Sequence, residues 1–448
     1  MRVKLTPIQL SVVVVMLLLL VACTNNEQEG ADEDVDAANQ QEPDEDVDDG
    51  PECETWDDEP VGLFLTWQQD PTSTMTIDWH TVDEEDDEPR ESLCFRGADT
   101  DEWTGEAKAN AYEVPYLDRT LWRVELTDLE AGSEYVFQVG HFEREFRFRT
   151  MPGDIDDESV TFAAGGDTMH LPGLFEPTNR AVMEYDPDFI VFGGDLAYAD
   201  AGTDPFHEDR WGWWFETILE TLVDDDGRVI PIIAGIGNHE VVDGYYYEHD
   251  DYEQTDAWRR ENAPYYYTFF AFPGQPGYGV LDFGDYMSLV VLDSDHSNPV
   301  EGEQTEWLES VLSERHSRGV SHVFPVYHVA AFPSHREWDD PIPGRIREHW
   351  VPPFEEYGVE VVFEKHDHTY KRTHPIRGGQ VDEDEGIVYI GDGAWGVQTR
   401  SGDSKDEWYI DQFASERHAI IFTIDGDDHY ALVVSEDKVV IDEYGEVP

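Results

Sequence analysis

The sequence predicts an α/β layered domain preceded by a small all-β sandwich. Short apolar runs such as Val160 to Ala164 and Phe189 to Phe192 have the length and composition of buried parallel strands, and they alternate with helical patterns. Upstream, Leu63-x-Leu65-x-Trp67 and Met75-x-Ile77-x-Trp79 repeat with period two, the mark of half-buried strands. Several later runs are followed by Asp, Asn or His, where open α/β sheets collect ligands.

Charge narrows the function classes. The chain has 448 residues, with 101 acidic against 28 basic ones, a formal −73. Such a surface repels itself and nucleic acid at low ionic strength, so no nucleic-acid binding is expected. At ~1 M salt the Debye length falls to about 3 Å and the repulsion fades. The acids run through the whole chain rather than one tail, so adaptation to high salt is expected.

Residues 1–23 read as an export signal. Arg2 and Lys4 precede the apolar stretch Val12 to Val21, which is short for a membrane span of about 20 residues. Leu20-Val21-Ala22-Cys23 resembles a bacterial lipoprotein cleavage box, which implies lipidation of Cys23 and a membrane anchor; ordinary cleavage and release is the alternative. Residues 24–52 are rich in Asp, Glu, Asn and Gln and read as an acidic disordered tether. Outside the cytoplasm Cys53 and Cys94 pair as a disulfide or stay as two buried thiols.

Residues 53–151 read as the sandwich. Trp122, Val124 and Leu126 alternate, Val136 to Val139 and Phe146 to Phe148 add strands, and Leu129 and Tyr135 flank a turn at Gly132, similar to the corner of fibronectin type III domains. No cluster of catalytic residue types falls here.

Residues 158–448 read as the layered domain. Val160 to Ala164 leads to Gly165-Gly166-Asp167. Asn179 to Tyr185 and Trp211 to Val223 are helical. Phe189 to Phe192 leads to Gly193-Gly194-Asp195, with Tyr198 three residues on. Val229 to Ile233 is a strand leading to Gly237-Asn238-His239-Glu240, and Val241 to Pro264 is read as a loop. Leu289 to Leu292 is a strand and Glu306 to Ser313 a helix. His322 to Val326 ends at Tyr327-His328, and Val359 to Phe363 leads to Glu364-Lys365-His366-Asp367-His368. A parallel sheet would set these strand ends along one edge. Carboxylate, imidazole, amide and phenolate together suit two cations such as Fe, Zn or Mn, with Asp195 as the bridge.

The series Gly166-Asp167, Gly194-Asp195-x-x-Tyr198, Gly237-Asn238-His239-Glu240, Tyr327-His328 and His366-x-His368 resembles the metal-site motifs of calcineurin-like metallophosphoesterases, and Tyr198 the purple acid phosphatase branch. The resemblance implies a four-layer α/β/β/α sandwich behind that branch's fibronectin III-like N-terminal domain. It implies one metal, Fe(III), on Asp167, Tyr198 and His368, and a second, Fe(II), Zn or Mn, on Asn238, His328 and His366. His239 would contact phosphate. His335 is either a proton donor facing substrate or a surface histidine. The implied activity is cleavage of a small phosphate monoester by a metal-activated hydroxide, with diester or nucleotide hydrolysis as the alternative in the superfamily and a surface binding protein with a vestigial site outside it. Two departures stand out. Lys365 occupies the position of the usual glycine, where positive φ would be strained and its charge is placed to hold phosphate or pair with Glu364. After Gly166-Asp167, where the family often has a glycine one residue on, stands Thr168-Met169-His170; His170 is read as a bystander, with substrate contact as the alternative.

Overall fold

The computed structural model describes residues 59–82, 90–156, 158–200, 207–391 and 393–445. The signal, the tether, Cys23 and Cys53 lie outside them. Cys94, in the strand Ser92–Gly97, is disulfide-bonded.

The first domain is a sandwich of two four-stranded antiparallel sheets. One runs in the order Gly62–Thr66, Met75–Val82, Arg119–Leu126, Asn110–Glu113, the other Gly105–Lys108, Ser92–Gly97, Glu134–Val139, Phe146–Arg149. The corner read at Gly132 forms, with Glu130 N donating to Tyr135 Oη at 2.9 Å. The alternation in Gly62–Thr66 implied one solvated face, yet every residue of that strand is buried. Its second face packs on the helix His207–Thr221 of the next domain, where Phe64 stacks on Phe215 with centroids 5.3 Å apart.

The second domain stacks four layers. A six-stranded sheet has the order Ile232–Ala234, Phe189–Phe192, Val160–Gly165, His418–Asp425, Asp428–Ser435, Val440–Gly445, its first three strands parallel. A seven-stranded sheet has the order Gly279–Phe283, Met287–Val291, His322–Val329, Val361–Lys365, Val388–Gly391, Tyr370–Thr373, Ile410–Ala414, parallel from its second strand to its fifth. The inner faces meet through phenylalanines: Phe324 and Phe363 lie 5.1 and 5.3 Å from Phe422. Helices Pro172–Val182 and His207–Thr221 cover the outer face of the first sheet, and Glu303–Arg318, Pro341–His349 and Val351–Tyr357 that of the second.

Some elements depart from the sequence reading, each for a local reason. The strand read from Val229 begins at Ile232, because Pro231 has no N–H to give to the ladder; its carbonyl still accepts Ile190 N at 2.9 Å. The helix read from Asn179 begins at Pro172. Its buried face includes polar Thr178 and Asn179, which hid the apolar period. Thr178 Oγ1 donates to Trp395 O at 2.7 Å, and Trp395 Nε1 donates to Asn179 Oδ1 at 2.7 Å. The segment read as a loop contains the helix Asp256–Asn262, capped by Thr255 Oγ1 accepting Trp258 N at 3.2 Å.

Candidate metal centre

The parallel strands of both sheets end toward one point. Asp167 follows Val160–Gly165, Asp195 follows Phe189–Phe192, and Asn238 follows Ile232–Ala234. From the second sheet His366 follows Val361–Lys365, while His328 lies inside His322–Val329 rather than after it. The sequence suggested one sheet edge; the structure uses two. The ladder between the last two strands shifts register between Val326 and Val329, where His328 sits.

Five of the seven candidate ligands are held at positive φ: Asp167 (56°), Asp195 (53°), Tyr198 (54°), His366 (85°) and His368 (56°). Non-glycine residues there cost of order 1–3 kcal/mol each. That strain aims the side chains inward from tight turns. Gly194 (φ 97°) completes one turn, since a Cβ there would lie 2.7 Å from Gly237 N.

Two clusters result, sharing Asp195. In the first, Tyr198 Oη donates to Asp167 Oδ1 at 3.1 Å and lies 3.1 Å from His368 Nε2, which is 2.9 Å from the same Asp167 oxygen. In the second, His328 Nε2 lies 3.1 Å from Asp195 Oδ2 and 3.0 Å from His366 Nδ1. His328 Nδ1 donates to Gly193 O at 3.0 Å; that fixes the tautomer and turns the Nε2 lone pair inward, as in metal-bound histidines. Asn238 Oδ1 is buried with no hydrogen-bond partner among the described residues. All seven residues picked from the sequence are in these two clusters or beside them.

Electrostatics favour cations. Burial lifts the Tyr198 phenol well above its usual range, and Asp167 and Asp195 lift it further, so only a nearby cation would make a phenolate. Burial opposes charge on His328, but Asp195 and Asp167 outweigh it and raise it to about 9. Burial and then Arg336 drive His366 far down. Burial alone would raise Asp195, yet His328 and His239 hold it below the carboxylate range. Carboxylate and phenol oxygens with one imidazole on one side, and two imidazoles with an amide and the shared carboxylate on the other, fit a harder and a more borderline cation.

Around the clusters lies a second set of residues, less legible in sequence. Glu240, buried, accepts Asp195 N, Leu196 N and Gly237 N, each at 2.8 Å, and thereby locks the Asp195 turn to the Asn238 turn. His239 Nδ1 bonds Asp200, its Nε2 is 3.9 Å from Asp195 Oδ2, and its ring is 4.2 Å from that of Tyr198. Burial works against a charge on His239, but Asp195 and Asp200 raise it to about 9. Gly393 (φ 70°) comes so close that a Cβ would sit 1.9 Å from Asp167 Oδ2. A cavity of about 440 Å³ opens here, lined by His170, Tyr198, His239, His368, Gln398, Thr399 and Arg400. His170, read as a bystander, is thus on its wall. His335 is not; its Nδ1 faces Asp403 Oδ2 at 3.9 Å.

Lys365 corrects the sequence reading. It is the last residue of an ordinary strand; the positive φ falls on His366 instead. Nor does it bond Glu364, which accepts Tyr327 Oη at 2.6 Å and pairs with Lys371. The Lys365 stem is buried beneath the site, and a Cβ at Gly193 would lie 2.8 Å from its Cγ.

Comparison with known proteins agrees with this architecture. The calcineurin-like phosphoesterase family matches residues 161–370, and the N-terminal domain of purple acid phosphatases matches residues 60–150. The chain thus carries a calcineurin-like phosphoesterase domain. In front of it stands the N-terminal domain of purple acid phosphatases. An uncharacterized protein of Mycobacterium tuberculosis is 24% identical over 71% of this chain and 63% of its own length. Purple acid phosphatase 21 of Arabidopsis thaliana is 25% identical over 64% of this chain and 61% of its own. The matches thus span about three fifths of these relatives. A purple acid phosphatase from yellow lupin seeds shares the fold at TM-score 0.69 and 16% identity, over 86% of this chain and 74% of that one.

Proposed function

We propose that the chain is an exported two-metal phosphatase that hydrolyses small phosphate monoesters. One observation carries the reading: six side chains, far apart in sequence, place donor atoms about 3 Å from one another in two clusters that share Asp195, with Asn238 in the adjoining turn, where His239 N donates to Asp195 Oδ1 at 2.9 Å. Asp167, Tyr198 and His368 would hold one cation, favouring Fe(III), and Asn238, His328 and His366 the other, as Fe(II), Zn or Mn. Bound there, the pair would neutralise phosphate charge and lower the pKa of water.

The chain's own residues supply the rest. Glu240 fixes the turn that carries the shared carboxylate. His239, charged and oriented by Asp200, reaches over the cavity to bind a phosphate oxygen and to give a proton to the leaving alkoxide, a contribution of typically 10²–10⁴ in rate. His335 points at Asp403, so His239 is the better placed of the two histidines. Arg400 and His170 on the cavity wall would meet the ester from the other side.

The test is metal content together with hydrolysis of an aryl phosphate. The wild-type chain should hold two metals and turn over the monoester faster than the diester. Asp195→Ala should lose metal and activity together; full turnover with an empty site refutes the reading. Faster diester turnover would assign the phosphodiesterase alternative instead.

Export and anchoring through Cys23 belong to the same proposal. The basic n-region, the short apolar run and the box ending at Cys23 support it, as does a disulfide at Cys94, a bond of oxidising compartments. Cys23→Ser should release the enzyme from membranes; retention in the membrane fraction would refute the anchor.

A further inference from the structure

At the opposite end of the two sheets three further residues of ligand type meet. His322 opens the strand His322–Val329, Glu360 directly precedes its neighbour Val361–Lys365, and His429 lies in Asp428–Ser435 of the other sheet. One ligand atom from each lies within 4.8 Å of the others. His328, on the same strand as His322, is six residues on, so this cluster is roughly 20 Å from the catalytic centre.

The decisive atom is His322 Nδ1. His322 is 2% exposed. Its Nε2 is 2.9 Å from the carbonyl of Gly426. A carbonyl only accepts, so Nε2 carries the proton and Nδ1 presents a lone pair. That Nδ1 is buried with no hydrogen-bond partner among the described residues. An imidazole with its far nitrogen tied to a carbonyl is the arrangement that orients a metal ligand. The spacing agrees. Tetrahedral Zn²⁺ with bonds of about 2.0–2.2 Å sets its donors about 3.3–3.6 Å apart. His429 Nδ1 lies 3.5 Å from Glu360 Oε2, long for a hydrogen bond and right for two donors on one ion. The His429 ring is held between Phe422, stacked at 5.4 Å, and Tyr444 at 6.1 Å. Glu360 is exposed, so its carboxylate can turn toward both rings without displacing packed atoms.

We propose that His322, Glu360 and His429 form a third metal site, which takes Zn²⁺ and staples the two central sheets together at the end away from the catalytic pair. Two imidazoles and one carboxylate leave a fourth position for water on the exposed side. The site joins strands from both sheets, so its occupancy adds to the hydrogen bonds His322 Nε2 to Gly426 O and Ser321 Oγ to Asp427 Oδ1 that already link the two layers there.

The test uses the full chain, depleted of metal, equilibrated with Zn²⁺ and washed. Wild type should retain one more zinc per chain than Glu360→Gln or His429→Gln. Glu360 is exposed, so its substitution leaves the core intact, and both variants should hydrolyse aryl phosphate like wild type when the catalytic metals are restored. Equal zinc in wild type and variants overturns the proposal. The difference of one is read whether or not the catalytic pair fills, so failure of the phosphatase reading does not mask it. A second measurement uses an Asp195→Ala background. Zn²⁺ should raise its unfolding temperature, and adding Glu360→Gln should weaken the half-saturating Zn²⁺ at least tenfold. An unchanged half-saturation overturns the proposal as well.

Discussion

Tyr198 Oη lies 3.1 Å from Asp167 Oδ1 and 3.1 Å from His368 Nε2, so the phenol sits at the vertex of a triangle of ligand atoms. No apolar packing requires a hydroxyl there. Were ferric iron held by Asp167, Tyr198 and His368, its bond to the Tyr198 phenolate would absorb visible light. Tyr198→Phe should therefore bleach the wild-type band while the fold persists. A colourless wild type holding two zinc or manganese ions would remove iron and keep the hydrolase.

His239 gives the pH dependence its sign. Its folded value of about 9 stands above the ordinary 6.5, because Asp195 and Asp200 outweigh the effect of burial. The imidazolium form is present below that value and lost as pH rises through it. Nearby cations can only lower it. Turnover should thus fall on an alkaline limb at or below about pH 9. His239→Ala should flatten that limb and lower kcat by about 10²–10⁴. An unchanged limb in the variant would assign it to another group.

Arg123 ties the two domains. It donates to Asp78 Oδ1 at 2.5 Å and, across the interface, to Phe269 O at 2.6 Å. Removing one partner of a buried pair leaves an uncompensated charge, so Arg123→Met should destabilise by about 3–5 kcal/mol, and Asp78→Leu with Arg123→Met should recover most of it. Burial lifts Asp78 to about 6 against the pull of Arg123. The folded carboxyl thus takes its proton above the unfolded value of 3.8, and its contribution to stability is lost as pH rises from about 4 to about 6. Asp78→Asn should flatten denaturant unfolding across that window. A persistent slope would place its source elsewhere.

The formal charge of −73 makes salt a control variable. Unfolding temperature and hydrolysis rate should both rise between ~0.1 M and ~1 M NaCl, as screening shortens to about 3 Å. Equal behaviour in dilute buffer would remove the high-salt reading and leave the enzyme assignment untouched.

Residue types and their order were legible without coordinates, because a strand's apolar run and the polar residue after its turn are both local facts. That suffices for Asp167, Asp195, Tyr198, Asn238, His328, His366 and His368. It also sufficed for the domain order, since a period of two and alternating strand and helix patterns are written in the chain itself. Glu240 was quoted within its motif, but two of its three backbone bonds reach a turn 44 and 45 residues away, and no local pattern encodes those two. Gly393 looked like any loop glycine until the turn carrying Asp167 closed against it. Lys365 broke a motif on paper and sits quietly in a strand. His322, Glu360 and His429 have no shared motif, because they meet only when one sheet is laid on the other. The sequence by itself determined which side chains were offered and roughly where the strands would end. Only the stacking of two sheets decided which of them came within bonding distance, because that depends on register and layer contact between segments remote in the chain.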